Sequence, residues 1–348
     1  FVKKLFSITA FVFTSICVFS QIGGNSVYRF LDVPVSARVA SLGGSAIAIS
    51  DDDLNLTFDN PSLLHSGLSR HLSFSYINYV SDINSGQVNY AHHFNKLGTF
   101  SAGVKFFNYG KFVETDNGGN IQGEFNPGDY AFIIGYGKML DSSFSIGANL
   151  TNIYSDFYQY NSYGAALDIS ATYQNRKKEF VAALVARNMG YQFVSYNRTE
   201  NEPLPFDLQL GISKKFEHVP FRFSVVAHHL QKFNFTYVDS TQIPQSLDPS
   251  QEEEFKGPPF TEKLMRHFIF GGEFLLTKNF HIRMGYNYQR RKELVFANRK
   301  GAVGMSFGLG FKAGRFHFSY GLANYHLAGW SNHFTLSSNL GEFFKRAN

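Results

Sequence analysis

The sequence predicts an all-β protein, a transmembrane antiparallel β-barrel of about fourteen strands with a short N-terminal plug or periplasmic segment. Three observations predict it: apolar residues alternating with small or polar ones, connections that are long at one end only, and an aromatic-rich chain without a later spanning helix. The alternation is clearest in Ala302–Leu340, where Met305, Phe307, Leu309 and Phe311 oppose Ser306, Gly308, Gly310 and Lys312. It restarts after Ala313-Gly314, with Phe316, Phe318, Tyr320 and Leu322 against His317, Ser319, Gly321 and Ala323. Successive strand side chains point to opposite faces, so each segment has one apolar and one small or polar face. A soluble sandwich also alternates. Here, however, Gly, Ser, His and Lys on the second face would pack a core poorly, whereas apolar outside and polar inside is the arrangement of a membrane barrel.

Phe1–Ser20 is set apart from the fold. Lys3 and Lys4 precede the nearly continuous apolar run Leu5–Phe19, and Val18-Phe19-Ser20 offers a small-residue cleavage site before Gln21. That pattern is a secretory signal peptide, cleaved near Ser20-Gln21, too short and wrongly flanked for an anchor helix. Cys17 raises a lipidation site, which Ile16 before it fits badly. It is the only cysteine, so the processed chain has no disulfide scaffold and no Cys-based metal site. The remaining chain is the length of one large barrel domain. It is rich in aromatics, with 39 Phe and 19 Tyr in the full sequence, yet the mean hydropathy is only −0.18. No later apolar run reaches the ~18–20 residues of a spanning helix. The net charge of +5 is spread out, without the basic cluster of a nucleic-acid-binding face. The expected organisation is signal peptide 1–20, plug-like segment 21–68, barrel 69–341 and C-terminal tail 342–348.

Gln21–Leu68 does not alternate. Gly43-Gly44 permits backbone angles closed to other residues and marks a tight turn. Asp51-Asp52-Asp53 precedes a short helical stretch around Leu54–Phe58, where a carboxylate can cap free N–H groups. A calcium loop is the sharper alternative, but the spacing lacks the Gly and distal Glu of an EF-hand. Asn60-Pro61 reads as a cap followed by Pro at the first helical position. This segment is expected within or beneath the barrel.

From His71 onward, strands are predicted near 71–80, 86–94, 98–109, 129–138, 143–158, 162–175, 178–189, 204–216, 220–233, 264–276, 279–291, 302–313, 315–326 and 331–340, each near the ~9–11 residues that cross a bilayer at a tilt. Short links (Asn95–Leu97, Met139–Ser142, Arg176-Lys177, Glu217–Val219, Thr277-Lys278, Ala313-Gly314) follow even-numbered strands. The long links Gly110–Gly128, Gly190–Pro203, Asn234–Lys263 and Lys292–Gly301 all follow odd-numbered ones. Short periplasmic turns and long outer loops are the asymmetry of outer-membrane barrels, and it places both chain ends on the periplasmic side. Lys105, Asp168, Asp207, Arg222, Glu273 and Arg283 then point into the lumen, because a lipid-facing charge at mid-membrane costs ~2–4 kcal/mol. They are expected to form structural ion pairs with each other or with the N-terminal segment. Leu309→Arg should impair insertion, while Gly308→Ser should be tolerated unless the plug packs there.

No catalytic constellation emerges. His92-His93 and His228-His229 look like metal pairs, but neighbouring residues of a strand face opposite ways, so no metal and no cofactor is expected. Ser, His and Asp are plentiful without a spacing that defines a triad, which is recognised by geometry in any case. The loop Asp239–Pro259 is polar and rich in Pro and Glu. Its residues Asp239, Gln245, Asp248, Glu252, Glu253 and Glu254 are the candidate surface for an extracellular partner, against the plainer reading of a solvated loop.

The run Ala37–Asp53 followed by Phe58–Leu64 resembles the "A-x-A-G-M-G-G-A … D-D … N-P-A-x-L" opening of FadL-like outer-membrane barrels. Ala37, Ala40, Gly43, Gly44, Asp51, Asp52, Asn60 and Pro61 carry the likeness, with Ser41-Leu42 in place of Gly-Met and Ser62 in place of Ala. Within that superfamily, the opening Gly24–Leu31 resembles the PorQ group, barrel components of the type IX secretion system. The resemblance implies a non-enzymatic barrel that helps attach secreted cargo at the cell surface, through the large surface protein PorZ alongside PorU and PorV. FadL relatives themselves take up hydrophobic small molecules through the barrel wall. The functional expectation is therefore a membrane anchor of an attachment complex, with a FadL-type channel for hydrophobic solutes as the alternative and an outer-membrane enzyme as a third reading.

Overall fold

The computed structural model describes residues 26–198, 200–234, 236, 258–294, 302–326 and 329–343. The expected signal peptide and Asp239, Gln245, Asp248, Glu252, Glu253 and Glu254 lie outside the described residues.

In chain order, a 3-10 turn at Arg29–Asp32, a short helix α1 (Ala37–Ser41), and 3-10 turns at Leu54–Phe58, Pro61–Leu63 and Ser66–Leu68 precede the first strand. The strands are β1 (His71–Asn78), β2 (Asn84–Phe94), β3 (Gly98–Asn108), β4 (Phe112–Thr115), β5 (Ile121–Phe125), β6 (Gly128–Met139), β7 (Phe144–Phe157) and β8 (Tyr160–Asn175). They continue with β9 (Phe180–Val194), β10 (Asp207–Lys215), β11 (Phe221–Ala227), β12 (Phe268–Phe274), β13 (Phe280–Asn287), β14 (Met305–Ala313), β15 (Phe316–His326) and β16 (Gly329–Asn339). Helices α2 (Phe260–Met265) and α3 (Tyr288–Glu293) sit in the two connections on either side of β12–β13.

All strands except β4 and β5 close into one antiparallel barrel of fourteen strands. Each pairs with its neighbour in sequence, β3 passes directly to β6, and β16 closes on β1 with His71 opposite Asn339 and Asn78 opposite Asn332. Closure leaves no unpaired edge, the condition for a sheet to exist in hydrocarbon. The faces follow the alternation. Along β14, Met305, Phe307, Leu309 and Phe311 are exposed, while Ser306, Gly308 and Gly310 are buried. Phe74, Phe132, Ile134, Leu150, Ile169, Leu210 and Phe334 are likewise exposed outward. An apolar surface this extensive, encircling a polar interior, is the exterior of a membrane-spanning barrel.

Several segments depart from the sequence expectation: β9 runs on to Val194, inside the predicted link Gly190–Pro203, and the strand predicted from 264 begins only at Phe268, after α2. The connection predicted at Gly110–Gly128 contains the hairpin β4–β5, which carries its own aromatic seam: Phe112 on Phe125 at 5.6 Å and Phe125 on Tyr158 at 4.8 Å. The strand predicted through 291 ends at Asn287, whose side chain accepts the Arg290 N–H and turns the chain into α3. The strand predicted over 220–233 stops at Ala227, so His228 and His229 fall beyond it. Strand length is also uneven around the wall, from 16 residues in β8 to 7 in β11 and β12.

The N-terminal segment fills the lumen from end to end. At the end carrying the long loops, Val27 donates its N–H to the Pro203 carbonyl, and Tyr28 Oη lies 2.5 Å from Ser162 Oγ. The segment then descends. At the short-turn end Leu64 and Leu68 pack with Leu54 and Ala91, and Arg70 binds the backbone of Ala91 and Leu340. Leu340 lies at the expected short-turn end, while the N-terminal end of the chain falls outside the described residues. The described chain begins at the opposite rim, because its opening apolar residues are drawn into the cluster of Tyr28, Phe30 and Leu31 with Phe107, Ile153 and Leu204.

A candidate functional site in the plugged lumen

The plug is shaped by local rules visible in its residues. Gly43 and Gly44 have φ of 91° and 99°, the left-handed turn that Gly-Gly permits. Asp53 Oδ1 accepts the Asn55 N–H at 3.0 Å, and Asn60 Oδ1 accepts the Ser62 N–H at 3.0 Å with Pro61 first in its turn. Asn60 Nδ2 further donates to the Ile47 carbonyl and to Thr172 on β8. Small wall residues let this backbone come close. A Cβ at Gly285 would lie 2.1 Å from Gly43 N, one at Gly147 2.3 Å from the Pro61 carbonyl carbon, and one at Gly308 1.9 Å from Ser41 Oγ.

Electrostatics tie the plug to the wall. Arg38 of α1 donates Nε and Nη2 to the two oxygens of Glu273 at 2.9 and 3.0 Å. Its Nη1 and Nη2 bind Asp51 at 2.8 and 2.7 Å, and Nη1 reaches Asp53 at 3.2 Å. Arg222 bridges Asp51 and Glu273, each at 2.9 Å, and Arg283 donates to Glu273 at 2.9 Å and to Ser319 at 3.2 Å. Three guanidinium groups thus meet three carboxylates. Glu273 is 1% exposed and Arg38 5%, so most of the network is withdrawn from water. Burial by itself would raise the Asp51 carboxyl; Arg38 and Arg222 overcome it and hold the group well below the usual carboxylate range. Nearer the long loops, Arg187 pairs with Asp59 at 3.1 Å, and Lys105 Nζ donates to the Leu31 and Val33 carbonyls at 3.0 and 2.8 Å. Lys105, Arg222 and Glu273 are therefore lumenal partners of the plug, whereas Arg283 pairs with Glu273, Asp168 accepts the Asn188 N–H and Asp207 accepts from Gln209 and the His229 N–H.

A cavity of about 40 Å³ remains beside the plug, among Leu31, Val33, Asn55, Lys105, Asp168 and Arg187. A second, of about 140 Å³, lies at the short-turn end among Ser50, His65, Ser143, Thr172 and Gln174. Both are lined by charged or hydroxyl groups as well as apolar ones, and the first has room for only a few water molecules.

Asp52 contacts His65 Nε2 at 3.2 Å, and His65 Nδ1 lies 2.9 Å from the Leu63 carbonyl. Burial alone would lower the imidazole; the Asp52 carboxylate and the Leu63 carbonyl outweigh it and raise His65 above its ordinary value. A raised histidine contributes its stabilisation below about pH 6.5 and loses it as pH rises through the higher folded value. In Asp52→Asn the His65 titration midpoint, followed by histidine-selective NMR in detergent, is expected to fall; an unchanged midpoint would refute the assignment.

All eight motif residues lie in or beside the plug. Ala37 and Ala40 are completely buried in α1, and Asp51 serves the arginine network. Asp51 and Asp53 bind Arg38 and Asp52 turns to His65, which is a different arrangement from the calcium loop considered as the alternative. Arg38 itself was not singled out by sequence reasoning. Its signal was a lone cation in a small, apolar run, matched by unpaired acids such as Glu273 on the polar faces of strands. His92 and His93 separate as strand alternation requires: His92 packs on Phe94 at 4.7 Å, while His93 Nδ1 meets Thr99 Oγ1 at 2.9 Å. His228 and His229 do not separate. They lie past the end of β11, and His229 has φ of 54°, so both rings converge with Asp207.

No protein-family model matches the sequence, and no curated protein matches it. Solved structures do share the fold. The TodX monoaromatic hydrocarbon channel of Pseudomonas putida, as its ΔS2 mutant, is 12% identical, with 88% of this chain and 97% of that chain covered and a TM-score of 0.50. The ΔS2S3 mutant is 10% identical, covering 88% and 99%, also at 0.50. A Pseudomonas aeruginosa FadL homologue gives 8% identity, 88% and 98% coverage and a TM-score of 0.46. The likeness is one of fold: here fourteen antiparallel strands close into a transmembrane barrel around an N-terminal plug.

Proposed function

We propose that this barrel sits in the bacterial outer membrane and anchors a cell-surface attachment complex for secreted cargo, the role implied by the PorQ resemblance of its opening residues. The observation that carries this reading is the filled lumen. The plug occupies the barrel along its length, is fastened by a charge-balanced buried network, and borders cavities too small or too polar to favour a greasy solute. A scaffold gains from such rigidity, whereas a conduit must open. The partners expected from the resemblance, PorZ with PorU and PorV, would meet the long-loop end, including the acidic loop Asp239–Pro259.

The second reading is a channel for hydrophobic small molecules, favoured by the fold shared with TodX, itself a monoaromatic hydrocarbon channel. One experiment separates the two. Deleting Ser240–Pro258 is expected to leave a folded barrel, since surface loops tolerate change better than strands. It should release attachment components from the cell surface and leave fatty-acid and hydrocarbon uptake unchanged. Lost uptake with normal surface attachment would replace the anchor by the channel.

A further inference from the structure

Asp207, His228 and His229 come together at the long-loop rim, where β10 begins and β11 has just ended. One potential ligand atom from each lies within 4.8 Å of the others. Asp207 Oδ1 and His229 Nδ1 are 3.4 Å apart, close to the edge of a tetrahedron with metal–ligand bonds of about 2.0–2.2 Å. The other edges are within 4.8 Å and must shorten toward that length when a metal is bound. The two imidazoles are 4.7 Å apart between centroids. His228 and Asp207 are buried, at 5% and 7% exposure, and His229 is half-buried, so the site opens on one side.

The surroundings hold the donors in place. Asp207 Oδ1 accepts the His229 backbone N–H at 2.6 Å, and Oδ2 accepts Gln209 Nε2 at 2.6 Å. His228 exchanges contacts with His267 on the far side of the long loop: its N–H donates to the His267 carbonyl at 2.9 Å, and its carbonyl lies 2.7 Å from His267 Nδ1. His267 Nε2 is 3.1 Å from the Phe233 carbonyl. The carboxylate is thus oriented by an outer amide and the histidine pair by its backbone, the kind of support that metal ligands need.

We propose that Asp207, His228 and His229 form a binding site for a divalent transition metal, zinc by donor chemistry, with the fourth position open to water or to a ligand atom from outside. Two imidazoles and one carboxylate suit zinc, copper or nickel, and lack the oxygen-rich set that magnesium or calcium requires. Bound there, the metal staples the first residues of the loop 228–267 to the head of β10. The site is independent of the anchoring role, because it is read on the isolated protein with no partner present.

The test uses the full chain in detergent, purified through a tag without histidine and stripped of metal with EDTA. Titration with Zn2+ alone, followed calorimetrically, is expected to show one saturable site per chain that Mg2+ in large excess does not displace. His228→Ala and His229→Ala should each abolish it, and Gln209→Leu should weaken it about 10-fold or more through its hold on Asp207. Folding of each variant is checked by its gel shift on boiling, and Asp207→Asn, nearly isosteric, replaces any histidine variant that fails. Absence of saturable binding, displacement by Mg2+, or equal binding in the folded variants would overturn the proposal and leave a simple His–Asp ion pair.

Discussion

Glu273→Ala is expected to destabilise the folded barrel by about 3–5 kcal/mol, the scale for removing one partner of a buried ion pair. The carboxylate is 1% exposed and accepts from Arg38, Arg222 and Arg283, so its loss strands three guanidinium groups against Asp51 and Asp53. Coulomb attraction inside the lumen no longer offsets their desolvation. The double variant Arg38→Met/Glu273→Met should recover part of the loss, because it removes a charge of each sign from the same place. Denaturant unfolding in detergent reads both changes. Additive losses in the double variant would mean that Arg38 and Glu273 do not stabilise each other.

Leu309→Arg is expected to cost about 2–4 kcal/mol of insertion, since Leu309 lies mid-strand on the membrane face and is 43% exposed there. Its neighbour tests the other face. Gly308→Ser is expected to be damaging as well, because any Cβ would meet Ser41 Oγ at 1.9 Å and the Tyr320 carbonyl at 2.9 Å. The condition attached to the sequence expectation, tolerance unless the plug packs there, is met by α1. The two variants should fail differently. Leu309→Arg lowers the yield of folded barrel in bilayers, whereas Gly308→Ser inserts but loosens the plug, seen as faster proteolysis within Ala37–Leu68 and as ion conductance in planar bilayers. A silent Gly308→Ser would mean that α1 does not rest against β14 in the membrane.

The barrel was legible because its signals are short in range and repeated. Period-two alternation, turn residues and one-sided link lengths each depend on only a few neighbouring residues. In β14 and β15 they locate strand and face together. The same locality explains the errors. Asn287 ends a strand by capping a helix, and His229 enters the left-handed region once β11 has stopped; neither event interrupts the pattern of residue types before it. The plug's caps at Asp53 and Asn60 and its Gly43-Gly44 turn were also local, and so readable. What fills the lumen was not. Arg38 finds Glu273 across 235 residues, and Gly285 matters only because Gly43 comes to rest on it. Asp207 similarly meets His228 and His229 only through the pairing of β10 with β11. Local sequence determines each strand and each face, because backbone geometry acts between near neighbours. The tertiary structure alone decides which charges meet, because closing the barrel brings together groups whose distance along the chain carries no signal.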